Sequence, residues 1–462
     1  MLADFVIVGG GIAGVSCTET LAFLAPEKSI ILLSDSALIK TVTNLQAITK
    51  TLCQFDVEEQ SSDYLTQKYK NVTVIHDVLK EIQDESNYIK TGKGKEIHYK
   101  SLCLCMGAEP NLIPQHLQFP DQIIGIRDTD SVDTFIEKLK HSKTIVVVGN
   151  GGIASEIVYK IQNTEIHWVI KDKHISATFV DPGAAEFFQD SLHSSHPNEQ
   201  VVSKRMRYKE DEYNKSGAAL GPDWYKNLMI SGANTNTLER KVNIHYENEI
   251  STISGSKDRA LEVLLTDGQK ISCDLIISAT GVTPRTNFNT KNKLLLSEDG
   301  GIRVDDHLKT NLNNIYAAGD ICSANWQWAK HWFPMKLWTQ ARQMGCYAAQ
   351  CMVGQLNKEE VLQDFCFEIF THSTKLFSYK VILLGLYNGQ KLDNKYEILV
   401  RTTPKMEYIK FVIENHKLQG AVLIGDTDLE EMCENLILNQ INLEPYGDDI
   451  LNPDIDIEDY FD

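Results

Sequence analysis

The sequence predicts an α/β protein with two Rossmann-like dinucleotide-binding units, the second inserted into the first, and a smaller α+β unit at the C-terminal end. Three observations predict it. Residues 5–14 and 144–158 each read as an apolar strand, a glycine-rich turn and the start of a helix. Residues 102–110 and 275–284 are apolar strands that each run into a small-residue turn ending in proline. Residues 355–443 then change texture to short alternating apolar runs and one helical stretch, Asp428 to Asn442, which suggests an antiparallel sheet with a terminal helix. A chain of 462 residues is long enough for about three domains at roughly 150 residues each.

The first unit begins with the strand Phe5 to Val8, and G-x-G-x-x-G follows at Gly9, Gly11 and Gly14. Glycines permit the tight turn, let the backbone approach a pyrophosphate and let the helix lie close to its strand. The helix N-terminus, here Ile12 and Ala13, offers unpaired N–H groups to phosphate. An alternating helix to Leu24 and a second strand, Ser29 to Leu33, supply the context that such a fingerprint needs. An acidic residue usually closes that second strand and binds the adenosine ribose; this chain has Ser34, expected to bind the ribose more weakly, and then Asp35.

The second unit repeats the pattern with Gly149, Gly151 and Ala154, the last position accepting glycine or alanine. Two dinucleotides are therefore implied. Glu156 falls early in the helix, where a carboxylate either caps the dipole or orients a nicotinamide ribose. The next strand, Glu165 to Ile170, ends in Lys171-Asp172. Asp172 suits a 2′-hydroxyl and Lys171 a 2′-phosphate, so NADH and NADPH both remain open.

Three more segments complete a set. Leu102 to Pro110 contains Cys105-Met106-Gly107, and residues 275–284 contain Ala279-Thr280-Gly281. Thr310 to Asp320 ends in Ala-Ala-Gly-Asp. With the two glycine fingerprints these five elements, in this order over residues 1 to about 345, resemble the pyridine nucleotide-disulphide oxidoreductase superfamily. The resemblance implies FAD in the first unit and NAD(P)H in the second, with Asp320 on the ribityl chain. Leu337 to Gly345 resembles the flavin-touching helix of ferredoxin-reductase-like members, which implies Trp338 and Gln340 near the flavin ring; Lys40 falls where such relatives carry flavin-contacting basic residues. The boundaries drawn are 1–112 and 273–350 for the two parts of the FAD unit, 113–272 for the NAD(P) unit with a polar insertion at about 190–236, 351–445 for the C-terminal unit, and 446–462 for an acidic tail.

In this superfamily hydride passes from nicotinamide to flavin, and the protein mainly positions the two rings. No catalytic side chain and no metal is expected for that half-reaction. Disulphide-reducing relatives add a C-x-x-C facing the flavin, and peroxidase or oxidase relatives a single cysteine about ten residues after the second strand. This chain has no C-x-x-C, and carries Val42-Thr43-Asn44 at the second place. Cys53 is expected on a helix over Leu45 to Leu52 as a buried thiol, since free cysteine behaves as a small hydrophobe. Cys103 and Cys105 are read as core residues facing opposite sides of a strand. The C-terminal His-Glu pair of dimeric disulphide reductases is not found, and His372 and His416 lack its surroundings.

The composition excludes other classes. A net charge of -18 opposes direct nucleic-acid binding and is easier to reconcile with a protein partner. No apolar stretch approaches the roughly 20 residues that span a bilayer, and no basic leader precedes the first strand. Ten scattered cysteines then read as reduced thiols. In the insertion, Lys204 to Glu212 is charged and without period, whereas Trp224 after Leu220-Gly-Pro-Asp is expected to pack back on its own domain. The tail, with seven acids, no base and interleaved Ile, Leu, Tyr and Phe, either docks along a basic groove or is solvated. These peculiar parts resemble a branch of the superfamily without the dithiol. That resemblance implies a nuclear and cytoplasmic protein associated with the tRNA-splicing ligase, guarding its metal-dependent site against oxidation. Two functions follow: an NAD(P)H oxidoreductase with an oxygen, quinone, ferredoxin-type or protein acceptor, or a redox-gated binding protein with little turnover.

Overall fold

The computed structural model describes residues 1–193, 220, 224–225, 228, 230–234, 241–255, 261–393 and 395–452. The charged half of the insertion and most of the acidic tail lie outside these residues.

The first sheet has the central order Glu96–Leu104, Leu2–Val8, Ile30–Ser34, Val72–His76, all parallel, and Ile315–Ala317 pairs on the other side of Glu96–Leu104. Parallel strands are covered on both faces and so read as continuous apolar runs. Ile30–Ser34 is buried at every position, and Phe5, Val6 and Ile7 are wholly closed off from solvent. The helices Ile12–Leu24 and Trp338–Asn357 pack together on this sheet. Their approach is close because Gly345 faces the Ala13 carbonyl, where a Cβ would come within 2.3 Å of the oxygen.

The second sheet is also all parallel, in the order Ile123–Gly125, Leu275–Ser278, Thr144–Val148, Glu165–Val169, Val242–His245. Leu275–Ser278, placed from sequence with the returning FAD part, is therefore the strand beside Thr144–Val148. Its four consecutive buried residues suit the middle of a covered sheet, and the return to the first unit begins after it. There Val282–Pro284 pairs antiparallel with Ala108–Pro110, so the two chain crossings between the units run side by side.

The third unit is a five-stranded antiparallel sheet, Thr371–Leu376, Tyr379–Gly385, Lys417–Ile424, Glu407–Glu414, Glu397–Thr403, with the helix Glu430–Asn439 packed on it, as the alternating runs predict. No helix among the described residues is long and apolar enough to cross a membrane.

Two local expectations are overturned. Residues 45–52 are not helical: Leu38–Ala47 is a strand that turns back into the strand Cys53–Ser61. Tertiary contacts fix this turn. Glu434 of the C-terminal helix, 1% exposed, accepts hydrogen bonds from the hydroxyls of Thr49 and Thr51 and from the backbone N–H groups of Lys50 and Thr51. Cys53, half-buried, opens the returning strand. Cys103 and Cys105 do not face opposite sides. Residues two apart on a strand share a face, and their sulfurs lie 3.5 Å apart in the buried core.

Candidate nucleotide-binding cleft

Both glycine turns open into one cleft of about 590 Å³ that runs between the first two sheets and reaches the third. On the first side it is lined by Gly9 to Ala13, Ser34, Asp35, Gly107 and Asp320, and by Trp338 and Ala341 from the helix that follows. On the second side it is lined by Gly151, Gly152, Glu156 and Gly281. Residues of both fingerprints thus line a single space, with Gly14, Gly149 and Ala154 behind its wall, in an arrangement suited to an extended dinucleotide on each side.

The backbone of each turn demands glycine. Gly9 has φ +121° and Gly149 φ +120°, and a Cβ would stand 2.2 Å from the Cys105 carbonyl oxygen at the first and 2.0 Å from the Ala279 oxygen at the second. The matching contacts explain why each apolar strand before a proline turn belongs to the motif set: its last residues floor the neighbouring glycine turn. Gly14 is held tightly as well, since a Cβ there would meet the Gly9 carbonyl oxygen at 1.9 Å. Ala154 occupies the corresponding place in the second helix, fully buried. Both helices start at an extended N-cap glycine, Gly11 or Gly151, without a side-chain cap, so their N–H groups face the cleft.

Around this frame the predicted residues take different places. Ser34 Oγ donates to the Ser36 carbonyl at 2.8 Å, which turns it back on its own loop. The neighbouring Asp35 lines the cleft and is paired with Arg285, its Oδ2 2.8 Å from Nη1. Arg285 also lines the cleft; sequence reasoning missed it, because nothing local marks a residue 250 positions from its partner. Lys40 is buried and paired with Glu59 at 3.0 Å across the hairpin, off the cleft wall. Gln340 is also off the wall: its amide bonds the Met335 N–H and the Phe333 carbonyl and so fixes the approach to the helix. Trp338 does line the cleft, and its indole N–H reaches the Leu220 carbonyl at 3.3 Å.

On the second side, Glu156 is 6% exposed and its Oε2 accepts from Trp224 Nε1 at 2.6 Å. Trp224 therefore packs back on its own domain, as expected. Lys171 is exposed and off the wall, whereas Asp172 is drawn to the glycine turn by Asn150, whose amide donates to Asp172 Oδ2 at 2.9 Å. The same Asn150 accepts from the Ser176 N–H at 2.6 Å, which ties the following loop to the turn.

Electrostatics mark Asp320. Burial pushes its carboxyl up from an ordinary 3.8 to about 6, against the opposing pull of Lys336. Among the described residues none donates a hydrogen bond to this carboxylate, beside a helix start and a glycine cradle, and polar hydroxyls of a ligand would supply such donors. Among the described residues Cys105 is the one cysteine along the cleft. Contact with Cys103 and burial push its thiol well above the ordinary range, so it is a packed side chain rather than a nucleophile.

Comparison with known proteins agrees with this geometry. The model of the pyridine nucleotide-disulphide oxidoreductase family matches residues 3–206 and 227–345, and that of the rubredoxin NAD+ reductase C-terminal domain matches 372–441. Proteins called pyridine nucleotide-disulfide oxidoreductase domain-containing protein 1 are similar over 99% of this chain: 50% identical in Drosophila melanogaster (99% of that protein), 46% in Homo sapiens (98%) and 38% in Dictyostelium discoideum (99%). Among solved structures, the covalent putidaredoxin reductase-putidaredoxin complex shares the fold at TM-score 0.67 and 16% identity, over 96% of this chain and 94% of that one. An NAD-dependent persulfide reductase from A. fulgidus does so at TM-score 0.69 and 16% identity, over 96% and 78%. With five fingerprints meeting in one cleft and these matches along nearly its whole length, the chain belongs to the pyridine nucleotide-disulphide oxidoreductase family, whose members use FAD and NAD(P)H.

Proposed function

We propose that this oxidoreductase takes electrons from NAD(P)H and delivers them to an acceptor outside its own chain, without a dithiol relay. The observation that carries the reading is the hairpin Leu38–Ser61, which carries Val42-Thr43-Asn44 at the place after the second strand where peroxidase or oxidase relatives have a single cysteine, in a sequence without the C-x-x-C of disulphide-reducing relatives. Cys105 does not replace it, being buried and held protonated.

Bound FAD would supply the two-electron carrier and bound NAD(P)H the hydride. The chain's own residues do the rest. The N–H groups after Gly9 and Gly11 would hold the FAD pyrophosphate, Asp35 the adenosine ribose, and Asp320 the ribityl hydroxyls. The turn at Gly149 and Gly151 would hold the second pyrophosphate, and Glu156, fixed by Trp224, would orient the nicotinamide ribose. Trp338 closes the flavin end and excludes water.

Anaerobic titration of the purified yellow protein with NADH and with NADPH tests the reading. Bleaching by either, with slow turnover on disulphides, is expected; bleaching by neither, or rapid turnover on a disulphide, overturns it. The partner that the family resemblance suggests, the tRNA-splicing ligase, completes the proposal. Its support is that resemblance, together with a net charge of -18 that favours a protein over a nucleic acid. Ligase activity after aerobic incubation should survive with this protein and NAD(P)H present, and fail without either.

A further inference from the structure

His372 is a cleft residue that the chemistry above does not use. It opens the antiparallel sheet of the C-terminal unit, in the strand Thr371–Leu376, yet it lines the cleft shared by the two nucleotide sites. Its side chain is almost closed off, at 1% exposure. Nδ1 lies 3.0 Å from the hydroxyl of Thr339, the second residue of the helix that begins at Trp338. Phe179 stacks on the ring, with centroids 6.2 Å apart and planes 24° from parallel. Phe179 in turn stands over Gly152 at the start of the second nucleotide helix. The imidazole is thus fixed where the flavin-side helix, the nicotinamide-side helix and the third sheet meet.

A ring with one nitrogen committed has one left. Thr339 is the hydrogen-bond partner of this ring among the described residues, which leaves Nε2 for a ligand. Burial pushes the imidazole down to about 4, so it is neutral at ordinary pH and works as a fixed dipole rather than a charge. When the Thr339 hydroxyl donates to Nδ1, the ring proton resides on Nε2 and is directed to an acceptor. An N–H at the wall of the cleft is available to an acceptor bound there.

We propose that His372 is a binding residue of the shared cleft, its Nε2–H donating to a carbonyl oxygen of a heteroaromatic ring bound there, that of the flavin or of the nicotinamide carboxamide. Thr339 is then a positioning residue that sets the tautomer. The inference rests on the two-nucleotide reading of the cleft.

The experiment uses the yellow holoprotein carrying His372→Leu, His372→Gln or Thr339→Val. The flavin midpoint potential is measured, together with the dissociation constants for NAD+ and for ADP-ribose, which lacks the nicotinamide. Loss of one neutral hydrogen bond corresponds to about fivefold in affinity. A shifted flavin potential in His372→Leu assigns the contact to the flavin; a rise of about fivefold in the ratio of the NAD+ to the ADP-ribose constant assigns it to the carboxamide. His372→Gln, which keeps an N–H, should retain most of either property. The proposal is overturned if His372→Leu leaves both readouts at wild-type values, or if the glutamine variant loses as much as the leucine variant. Should His372→Leu fail to hold FAD, Thr339→Val decides: a smaller change in the same readout supports the assignment, and no change in either overturns it. Failure of the two-nucleotide reading shows separately, as wild-type flavin that neither NADH nor NADPH bleaches.

Discussion

Replacing Asp320 with asparagine should stabilise the protein without FAD while weakening its hold on FAD. Burial raises this carboxyl from 3.8 to about 6 in the folded chain. A shift of roughly two units corresponds to about 3 kcal/mol between the two protonation states. The sign follows from linkage. Below the unfolded value both states carry the proton and the shift costs nothing; as pH rises toward the folded value the unfolded state ionises freely while the folded state resists, and stability is lost. Above pH 6 the FAD-free wild type carries the full penalty of about 3 kcal/mol, against roughly 1 kcal/mol at pH 4.5. The carboxamide of Asp320→Asn cannot ionise and is free of both. Urea unfolding of the FAD-free wild type and of Asp320→Asn, at pH 4.5, 6 and 8, reads the gap directly. It should widen by about 2 kcal/mol across the range, while the variant binds FAD more weakly at every pH. A gap that is constant with pH would refute the argument that burial, unrelieved by protein donors, governs this carboxyl.

Gly149→Ala places a methyl 2.0 Å from the Ala279 oxygen at φ +120°, a strain of at least about 2 kcal/mol; the protein should stay yellow, with its flavin-to-protein ratio intact, but lose bleaching by NADH. Glu434→Gln removes the carboxylate that four donors of residues 49–51 converge on; a loss of about 1–3 kcal/mol should show as faster proteolysis within the hairpin and a lower melting temperature. Lys410→Met leaves Asp181, 2.6 Å from the lysine Nζ, without its buried counter-charge. A cost of about 3–5 kcal/mol is expected, and the double variant with Asp181→Asn should recover much of it in chemical denaturation.

Local chemistry explains what was legible in the chain. The glycine turns are dictated by backbone approach within a few residues, so Gly9, Gly11 and Gly151, which line the cleft, and Gly149, which shapes the second turn, could be picked out from sequence. The covered strands announce themselves as unbroken apolar runs, as at Thr144–Val148. What failed was decided at a distance. Leu45 to Leu52 has helix-compatible residues, but Glu434, more than 380 positions away, clamps that stretch as a turn. Arg285 reaches Asp35 across 250 positions and left no local trace. The Cys103–Cys105 reading failed for another reason: the two-residue period of a strand was misapplied, and it places both sulfurs on one side.

The paired crossings at Ala108–Pro110 and Val282–Pro284 have a consequence for the molecule's assembly. An inserted unit whose entrance and exit are hydrogen-bonded neighbours asks little of its host, because the host's two halves are joined across a gap that the guest itself has already closed. The guest is in that sense a plug-in module. A single protease nick at either crossing leaves it tethered through the other, and after a double cut the Asp181–Lys410 pair and the core it shares with the C-terminal unit still hold it in place.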